Sequence, residues 1–206
     1  MASARTVRLP NSEFAAKELP ELRIDGLDAL RVHGAHFPAL NFRVVPGHRF
    51  SHPGAPTGLI YLGEKLDTCL SEFFGDTLLD RGGISASRWQ NTLIARIRSD
   101  ASLRICDLTD EKCRLRLGAD LSALMSADLH VPHAWGLAIQ NHPAAVDGIR
   151  YLSRFDSRPC LVLFERPWMA GRLEASSLGS LHESAEALHF LIDRSVSLIN
   201  PSSPHS

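Results

Sequence analysis

The segment GLIYLGEKLDTCLSEFFGDTL, residues 58–78, contains two different hydrophobic patterns in succession. Its first part, residues 58–62, is a short apolar run between two glycines, which is typical of a buried strand. From residue 66 onward the apolar side chains recur at helical spacing and form one stripe. The stripe consists of Leu66, Cys69, Leu70, Phe73, Phe74 and Leu78. The segment therefore predicts a strand followed directly by a helix over residues 67–79.

Glu72 belongs to this predicted helix but lies outside its apolar stripe. At about 100° per residue, its side chain points roughly 140° away from the centre of the stripe. Most glutamates in such a position are solvated surface charges. The alternative is a cleft formed by neighbouring loops, and the helical pattern leaves both possibilities open.

Further elements extend in both directions from this segment. Short runs rich in branched residues predict strands over residues 29–33, 92–98, 103–107, 148–153, 160–165 and 172–176. Apolar periodicity predicts helices over residues 110–125, 133–141 and 183–195. Because strands and helices mix without regular alternation, we expect an α+β fold with a mixed β-sheet core and flanking helices.

The chain is expected to form one domain. Its 206 residues are within the range that a single core can hold, and no linker divides them. Residues 1–20 contain a short helical stretch over residues 13–19 and are interpreted as an N-terminal lead-in. Residues 21–199 are predicted to form a single catalytic domain, and residues 200–206 a disordered tail.

Composition and charge argue against several classes of protein. The 22 basic and 23 acidic side chains nearly cancel, so direct binding of nucleic acid is not expected. No signal peptide and no apolar run of about 20 residues is found, which predicts a cytoplasmic protein without membrane contact. Four scattered cysteines are interpreted as reduced thiols without a structural disulfide.

Well-known catalytic motifs are absent from the sequence. There is no P-loop, no G-x-G-x-x-G after a strand, no HExxH and no G-x-S-x-G. Histidine pairs occur at positions 33 and 36 and at positions 130 and 133, but no further ligands complete a metal site. We therefore predict no metal and interpret these histidines as loop or surface residues.

A series of short motifs provides a more specific signal through its order and spacing. The motifs are Leu30-Arg31-Val32-His33, Leu40-Asn41-Phe42, His48-Arg49-Phe50, Leu59-Ile60-Tyr61-Leu62-Gly63, Cys69-Leu70-Ser71-Glu72, Ala134-Trp135, Gly148-Ile149-Arg150-Tyr151-Leu152-Ser153-Arg154 and Leu161-Val162-Leu163-Phe164. Together they resemble the RES-domain family, whose members are typically toxins of bacterial toxin–antitoxin operons. The resemblance covers roughly residues 29–166.

The resemblance assigns a role to particular residues. The family's arginine, Arg-aromatic pair, tyrosine, glutamate and serine fall on Arg31, Arg49, Tyr61, Glu72 and Ser153. His48 is a departure, because members usually carry glycine there. The resemblance implies a fold similar to ADP-ribosyltransferase toxins and NAD+ as the substrate, with no other cofactor. It also implies a cognate Xre-type antitoxin with a helix-turn-helix DNA-binding part, and it leaves homo-oligomer formation open.

These residue types suit cleavage of the nicotinamide–ribose bond, which leaves positive charge on the ribose as in a glycosidase. Glu72 is the candidate to oppose that charge, and Arg31 and Arg49 are the candidates to hold the two phosphates. Tyr61 is predicted to stack on nicotinamide, and Ser153 to bind a ribose hydroxyl or orient Glu72.

Each of these residues also has an ordinary structural alternative. The arginines could form surface ion pairs, the tyrosine could pack in the core, and the serine could bond to nearby backbone. With the catalytic assignment, either water or phosphate is the acceptor of ADP-ribose. A protein acceptor would make the chain an ADP-ribosyltransferase, and a third alternative is a binding module without turnover.

Overall fold

One long antiparallel strand pair organises the fold. The computed structural model describes residues 8–200, and in it β1 (Glu21–Gly34) pairs with β4 (Thr92–Asp107) from Glu21↔Cys106 to Gly34↔Thr92. Residues 92–98 and 103–107 were predicted as two strands. They form a single strand because the polar residues between them stay extended opposite β1, as in the pair Ser102↔Asp25.

Four further strands complete the main sheet: β2 (Leu59–Gly63), β5 (Gly148–Leu152), β6 (Pro159–Phe164) and β7 (Glu174–Ser180). The strand order is β1-β2-β6-β5-β4-β7, and β1 also pairs with β4. The β4–β5 pair is parallel and the other pairs are antiparallel. The predicted mixed sheet with flanking helices is therefore confirmed.

The sheet is loosely joined between β1 and β2, which share the single pair Leu30↔Gly63. On their other sides both strands are fully paired, β1 with β4 and β2 with β6. The residues of β1 that follow Leu30 therefore have no ladder partner in β2, and this opening is where the cavity described below is formed.

Six α-helices surround the sheet in the part of the chain that the structure describes. They are α1 (Leu66–Arg81), α2 (Ala86–Gln90), α3 (Glu111–Leu117), α4 (Leu121–Leu124), α5 (His130–Gln140) and α6 (Ala185–Asp193). Short 3-10 turns cover Phe14–Ala16, Pro167–Met169 and Leu181–Glu183. No helix within residues 8–200 has the length and apolar character needed to span a membrane.

The structure corrects several predicted boundaries. The predicted helix over residues 110–125 is divided into α3 and α4, because Gly118 adopts a left-handed φ of 79° and Asp120 caps a new helix. A small parallel sheet of β3 (Gly83–Ser85) and β8 (Ser197–Ile199) was not predicted, and neither was α2. Three-residue strands are too short for their periodicity to be recognised.

The buried residues form three clusters around the sheet. The α1 stripe enters one of them, where Leu70 and Phe74 pack with Trp89. In another cluster Phe14, from the predicted lead-in, is 4% exposed and meets the ring of Trp135 edge-on at 5.4 Å. The described part of the lead-in thus packs on the core. The tail residues 201–206 lie outside the described residues.

Candidate functional site

A cavity of about 510 Å³ lies at the opening between β1 and β2. Its walls come from the end of β1, from β2, from one face of α1, and from the loops at residues 37–49, 127–129 and 154–155. Its volume falls within the range of about 300–1,000 Å³ that is usual for small-molecule sites. The cavity can therefore enclose a ligand of substantial size.

Positive charge predominates among the described lining residues. They include five arginines, at positions 31, 43, 49, 88 and 154, but only two carboxylates, Glu72 and Asp76. Asp76 is engaged in an ion pair with Arg154. Aromatic rings at positions 37, 61, 73, 151 and 155 line the same space. A ligand with anionic and planar parts would match this lining.

Glu72 is placed in the cavity wall by α1, so it faces a cleft and not bulk solvent. Its Oε2 accepts a hydrogen bond of 3.1 Å from the Tyr151 hydroxyl. Its Oε1 is buried and has no hydrogen-bond partner among the described residues. A buried carboxylate oxygen without a donor is costly, so the geometry favours a ligand or water that donates to it.

A thiol fixes α1 relative to β1. Cys69 lies one helical turn before Glu72, and its Sγ donates to the carbonyl of Leu30 at 3.3 Å. Burial raises the pKa of the Cys69 thiol to about 12, so it remains a protonated donor at neutral pH. Gly63 permits this contact, because a Cβ at that position would lie 2.7 Å from Sγ. This bond holds α1, which carries Glu72, against β1, in which Arg31 follows Leu30.

Arg31 lines the cavity from β1. Its Nη2 donates to the carbonyl of Asn41 at 3.4 Å, whereas Nη1 is buried without a partner in the described chain. Burial lowers the pKa of the Arg31 guanidinium to about 10, which still leaves it charged at neutral pH. Arg31 therefore offers an unused charged donor to an anionic ligand.

The side chains of Arg49 and Tyr61 both donate hydrogen bonds to backbone carbonyls. Arg49 is 7% exposed, and its guanidinium donates to the carbonyl of Leu124. Burial lowers the pKa of Arg49, while the charge of Glu72 partly opposes this effect. The Tyr61 hydroxyl donates to the Arg49 carbonyl, and its ring meets the ring of His48 edge-on at 5.4 Å. Tyr61 therefore presents its ring, and not a free hydroxyl, to a ligand.

Ser153 is the predicted site residue that the structure does not bring to the cavity. Its side chain is fully buried, and its Oγ accepts a hydrogen bond of 3.2 Å from the backbone N–H of Phe155. Phe155 itself lines the cavity and packs closely on α1, where a Cβ at Gly75 would lie 2.4 Å from its ring. Ser153 thus acts on the cavity through Phe155, which is the backbone-bonded alternative considered for it.

Tyr151 lines the cavity but was not among the predicted site residues. It is 3% exposed, and its ring meets that of Phe50 edge-on at 5.0 Å. The sequence contained one signal for it, because strand alternation places Tyr151 on the same face as Ser153. A buried tyrosine hydroxyl normally has a hydrogen-bond partner, but the pattern did not identify Glu72 as that partner.

The structure corrects the prediction that the paired histidines lie in loops or on the surface, because His33 lies in β1 and is only 7% exposed. His33 Nδ1 lies 3.2 Å from the carbonyl of Gly34, and His133 Nε2 lies 3.0 Å from that of His48. Within residues 8–200, no three histidine, cysteine, aspartate or glutamate side chains are grouped so that they could hold a metal ion.

Comparisons with known proteins place these features in context. The family described as RES domain matches residues 28–189, a range that contains all five predicted site residues. A chain from the crystal structure of the M. tuberculosis MbcT–MbcA toxin–antitoxin complex has a similar fold, with a TM-score of 0.61 and 18% sequence identity. The match covers 83% of this chain and 90% of that chain. No curated protein sequence matches.

Proposed function

The chain belongs to the RES-domain family, and from this premise we propose that it cleaves the nicotinamide–ribose bond of NAD+. One observation carries the proposal. Glu72 and Arg31 line the same cavity, and each has a buried charged atom, Oε1 or Nη1, without a partner among the described residues. NAD+ can satisfy both atoms, because its ribose hydroxyls donate hydrogen bonds and its phosphates accept them.

Glu72 supplies the main electrostatic contribution in this mechanism. As the bond between ribose C1′ and the nicotinamide nitrogen breaks, its electron pair goes to nicotinamide, which leaves as a neutral molecule. The ribose then carries oxocarbenium-like positive charge. A fixed carboxylate beside the ribose stabilises that charge more strongly than it stabilises the ground state, which is the requirement for catalysis.

The arginines and Tyr61 hold the other parts of the substrate. Arg31 donates through Nη1 to a phosphate, and Arg49, whose guanidinium already bonds the Leu124 carbonyl, adds positive charge on the opposite wall. The ring of Tyr61 stacks on nicotinamide. Ser153 contributes by fixing Phe155 and not by contacting ribose.

The acceptor of the ADP-ribosyl group is a water molecule or inorganic phosphate. An oxygen of the acceptor bonds to C1′ as nicotinamide departs. Water then loses a proton to the solvent and gives ADP-ribose, whereas phosphate gives the phosphorylated form. The arginine-rich lining is compatible with a phosphate ion as well as with the two phosphates of NAD+.

Incubation of the purified protein with NAD+ labelled in its ADP-ribose part tests this function. We expect free nicotinamide together with labelled ADP-ribose, or with phosphorylated ADP-ribose when phosphate is present. Label retained on protein would instead identify an ADP-ribosyltransferase that uses the same cavity. Unchanged NAD+ in all conditions, with and without added protein acceptors, would leave a binding module as the better interpretation.

We further propose that the chain is a toxin neutralised by a cognate antitoxin in the cytoplasm. The support is the family and the fold shared with a chain of a toxin–antitoxin complex. An Xre-type antitoxin with a helix-turn-helix would then make the DNA contacts.

Co-expression of the adjacent gene tests this proposal. It should restore growth, and the product of that gene should co-purify with the chain. Growth arrest that persists under co-expression, with no bound product, would refute the antitoxin proposal. Homo-oligomer formation stays a prediction.

A further inference from the structure

Glu72 is held asymmetrically, because its two carboxylate oxygens have different surroundings. Oε2 accepts the Tyr151 hydroxyl at 3.1 Å, while Oε1 has no partner in the described chain. We propose that Tyr151 is a positioning residue, which fixes Glu72 through Oε2 so that Oε1 is the atom that meets the ribose. This inference rests on the proposed function and adds a residue to its machinery.

Tyr151 is itself held firmly enough to serve this purpose. Its backbone pairs with Cys160 in the β5–β6 ladder, and its ring packs on Phe50. The backbone of Phe50 is close to α5, where a Cβ at Gly136 would lie 2.3 Å from the Phe50 carbonyl oxygen. A hydroxyl carried by a strand residue whose ring packs on Phe50 limits the rotamers that the glutamate can adopt.

The hydroxyl also remains a donor over the whole working range of pH. Burial, reinforced by the negative charge of Glu72, raises the pKa of Tyr151 well above its usual value. A protonated phenol can only donate to a carboxylate, so the direction of this hydrogen bond is fixed. The bond therefore orients the carboxylate that opposes positive charge on ribose.

Tyr61, the second of the two tyrosines in the chain, provides a matched control. Both rings line the cavity, but the Tyr61 hydroxyl donates to the Arg49 carbonyl and the Tyr151 hydroxyl to Glu72. Removing either hydroxyl deletes a single oxygen atom. Only the removal from Tyr151 should release the Glu72 carboxylate from its fixed position.

The positioning contact can be measured without any assay of NAD+ cleavage. Protein labelled with 13Cζ-tyrosine has two tyrosine signals, which the Tyr61→Phe variant assigns. We expect Glu72→Ala, which removes the acceptor, to move the Tyr151 signal and to move the Tyr61 signal less, because only Tyr151 is bonded to Glu72. A Tyr151 signal that stays in place would overturn the inference, and this result does not depend on what the protein catalyses.

Steady-state kinetics then tests what the contact does in the reaction. In Tyr151→Phe we expect kcat to fall about tenfold or more, with little change in KM. A fall in kcat at nearly constant KM is the result expected of a contact that acts on the transition state and not on substrate binding.

The two proposals can fail separately. If the wild type cleaves NAD+ and folded Tyr151→Phe has the same kcat, Tyr151 is a packing residue and the inference is wrong. If the wild type leaves NAD+ intact, the proposed function fails, while the tyrosine signals still decide whether Tyr151 holds Glu72. Thermal unfolding of each variant confirms that the compared proteins are folded.

Discussion

Two walls of the cavity differ in how fully their polar groups are satisfied. On the wall formed by β1 and α1, Arg31 and Glu72 each keep a buried charged atom without a partner in the described chain. On the wall formed by β2 and the loop before it, Arg49 donates to the Leu124 carbonyl and Tyr61 to the Arg49 carbonyl. Unsatisfied buried groups cost stability, so the first wall is the one that gains most from a bound ligand.

The largest expected effect of a substitution is on Glu72. Glu72→Gln keeps an acceptor for Tyr151 but removes the negative charge, so nicotinamide release should slow by about 10²–10³-fold. The free energy of unfolding should change little or increase, because negative charge is removed from a carboxylate whose buried Oε1 has no donor in the described chain. Rates of nicotinamide release and thermal unfolding, measured on the same preparations, check both parts. A variant with wild-type turnover would remove Glu72 from the mechanism.

Arg31 should affect substrate binding more than the chemical step. Arg31→Met keeps the length of the side chain but removes the donor at Nη1, and we expect KM for NAD+ to rise about tenfold to a hundredfold. Arg150→Met is the matched control. It removes the same charge from a residue that pairs with Glu64 and Asp107 and is not among the cavity residues. An equal rise in KM in the two variants would mean that overall charge, and not the contact through Arg31, attracts the substrate.

Replacing Arg49 should lower the free energy of unfolding more than replacing Arg31 does. Arg49→Met leaves the buried Leu124 carbonyl without its donor, so the free energy of unfolding should fall by about 2 kcal/mol. Arg31→Met should cost less, because it removes an unpartnered donor at Nη1 and only one long hydrogen bond, the 3.4 Å contact from Nη2 to the Asn41 carbonyl. Denaturant unfolding of the two variants side by side tests the difference between the walls. If Arg31→Met proves the more destabilising, the distinction between a satisfied and an unsatisfied wall is wrong.

The sequence predicted those parts of the fold that have long local patterns. The α1 stripe, with six apolar positions at helical spacing, predicted the helix that carries Glu72. The strands predicted over residues 92–98 and 103–107 do not include residues 99–102, and only the pairing of this stretch with β1 shows that the strand continues. The division between α3 and α4 depends on a left-handed glycine, a conformation that a hydrophobic pattern does not record.

The candidate site was partly predictable for a similar reason. Helical spacing showed that Glu72 was off the apolar stripe, and the family motifs selected Arg31 from many arginines. The partners of these groups were not predictable, because Tyr151 and Glu72 are 79 positions apart in the chain. The role of Ser153 depends on a tight turn before β6, in which Ser157 adopts a positive φ of 56°. Neither spacing nor composition reports such a turn.

Replacing Ser153 should give the smallest effect. Whether the substitution lowers stability or kcat separates two interpretations of the family serine. If the hydroxyl serves only to accept the Phe155 N–H, Ser153→Ala should lower the free energy of unfolding by about 1 kcal/mol. KM would then rise only modestly, because Phe155 can shift within the cavity wall. A hydroxyl that contacts ribose would instead lower kcat and leave stability nearly unchanged. Denaturant unfolding combined with NAD+ kinetics distinguishes these outcomes, and the complete burial of Ser153 favours the first.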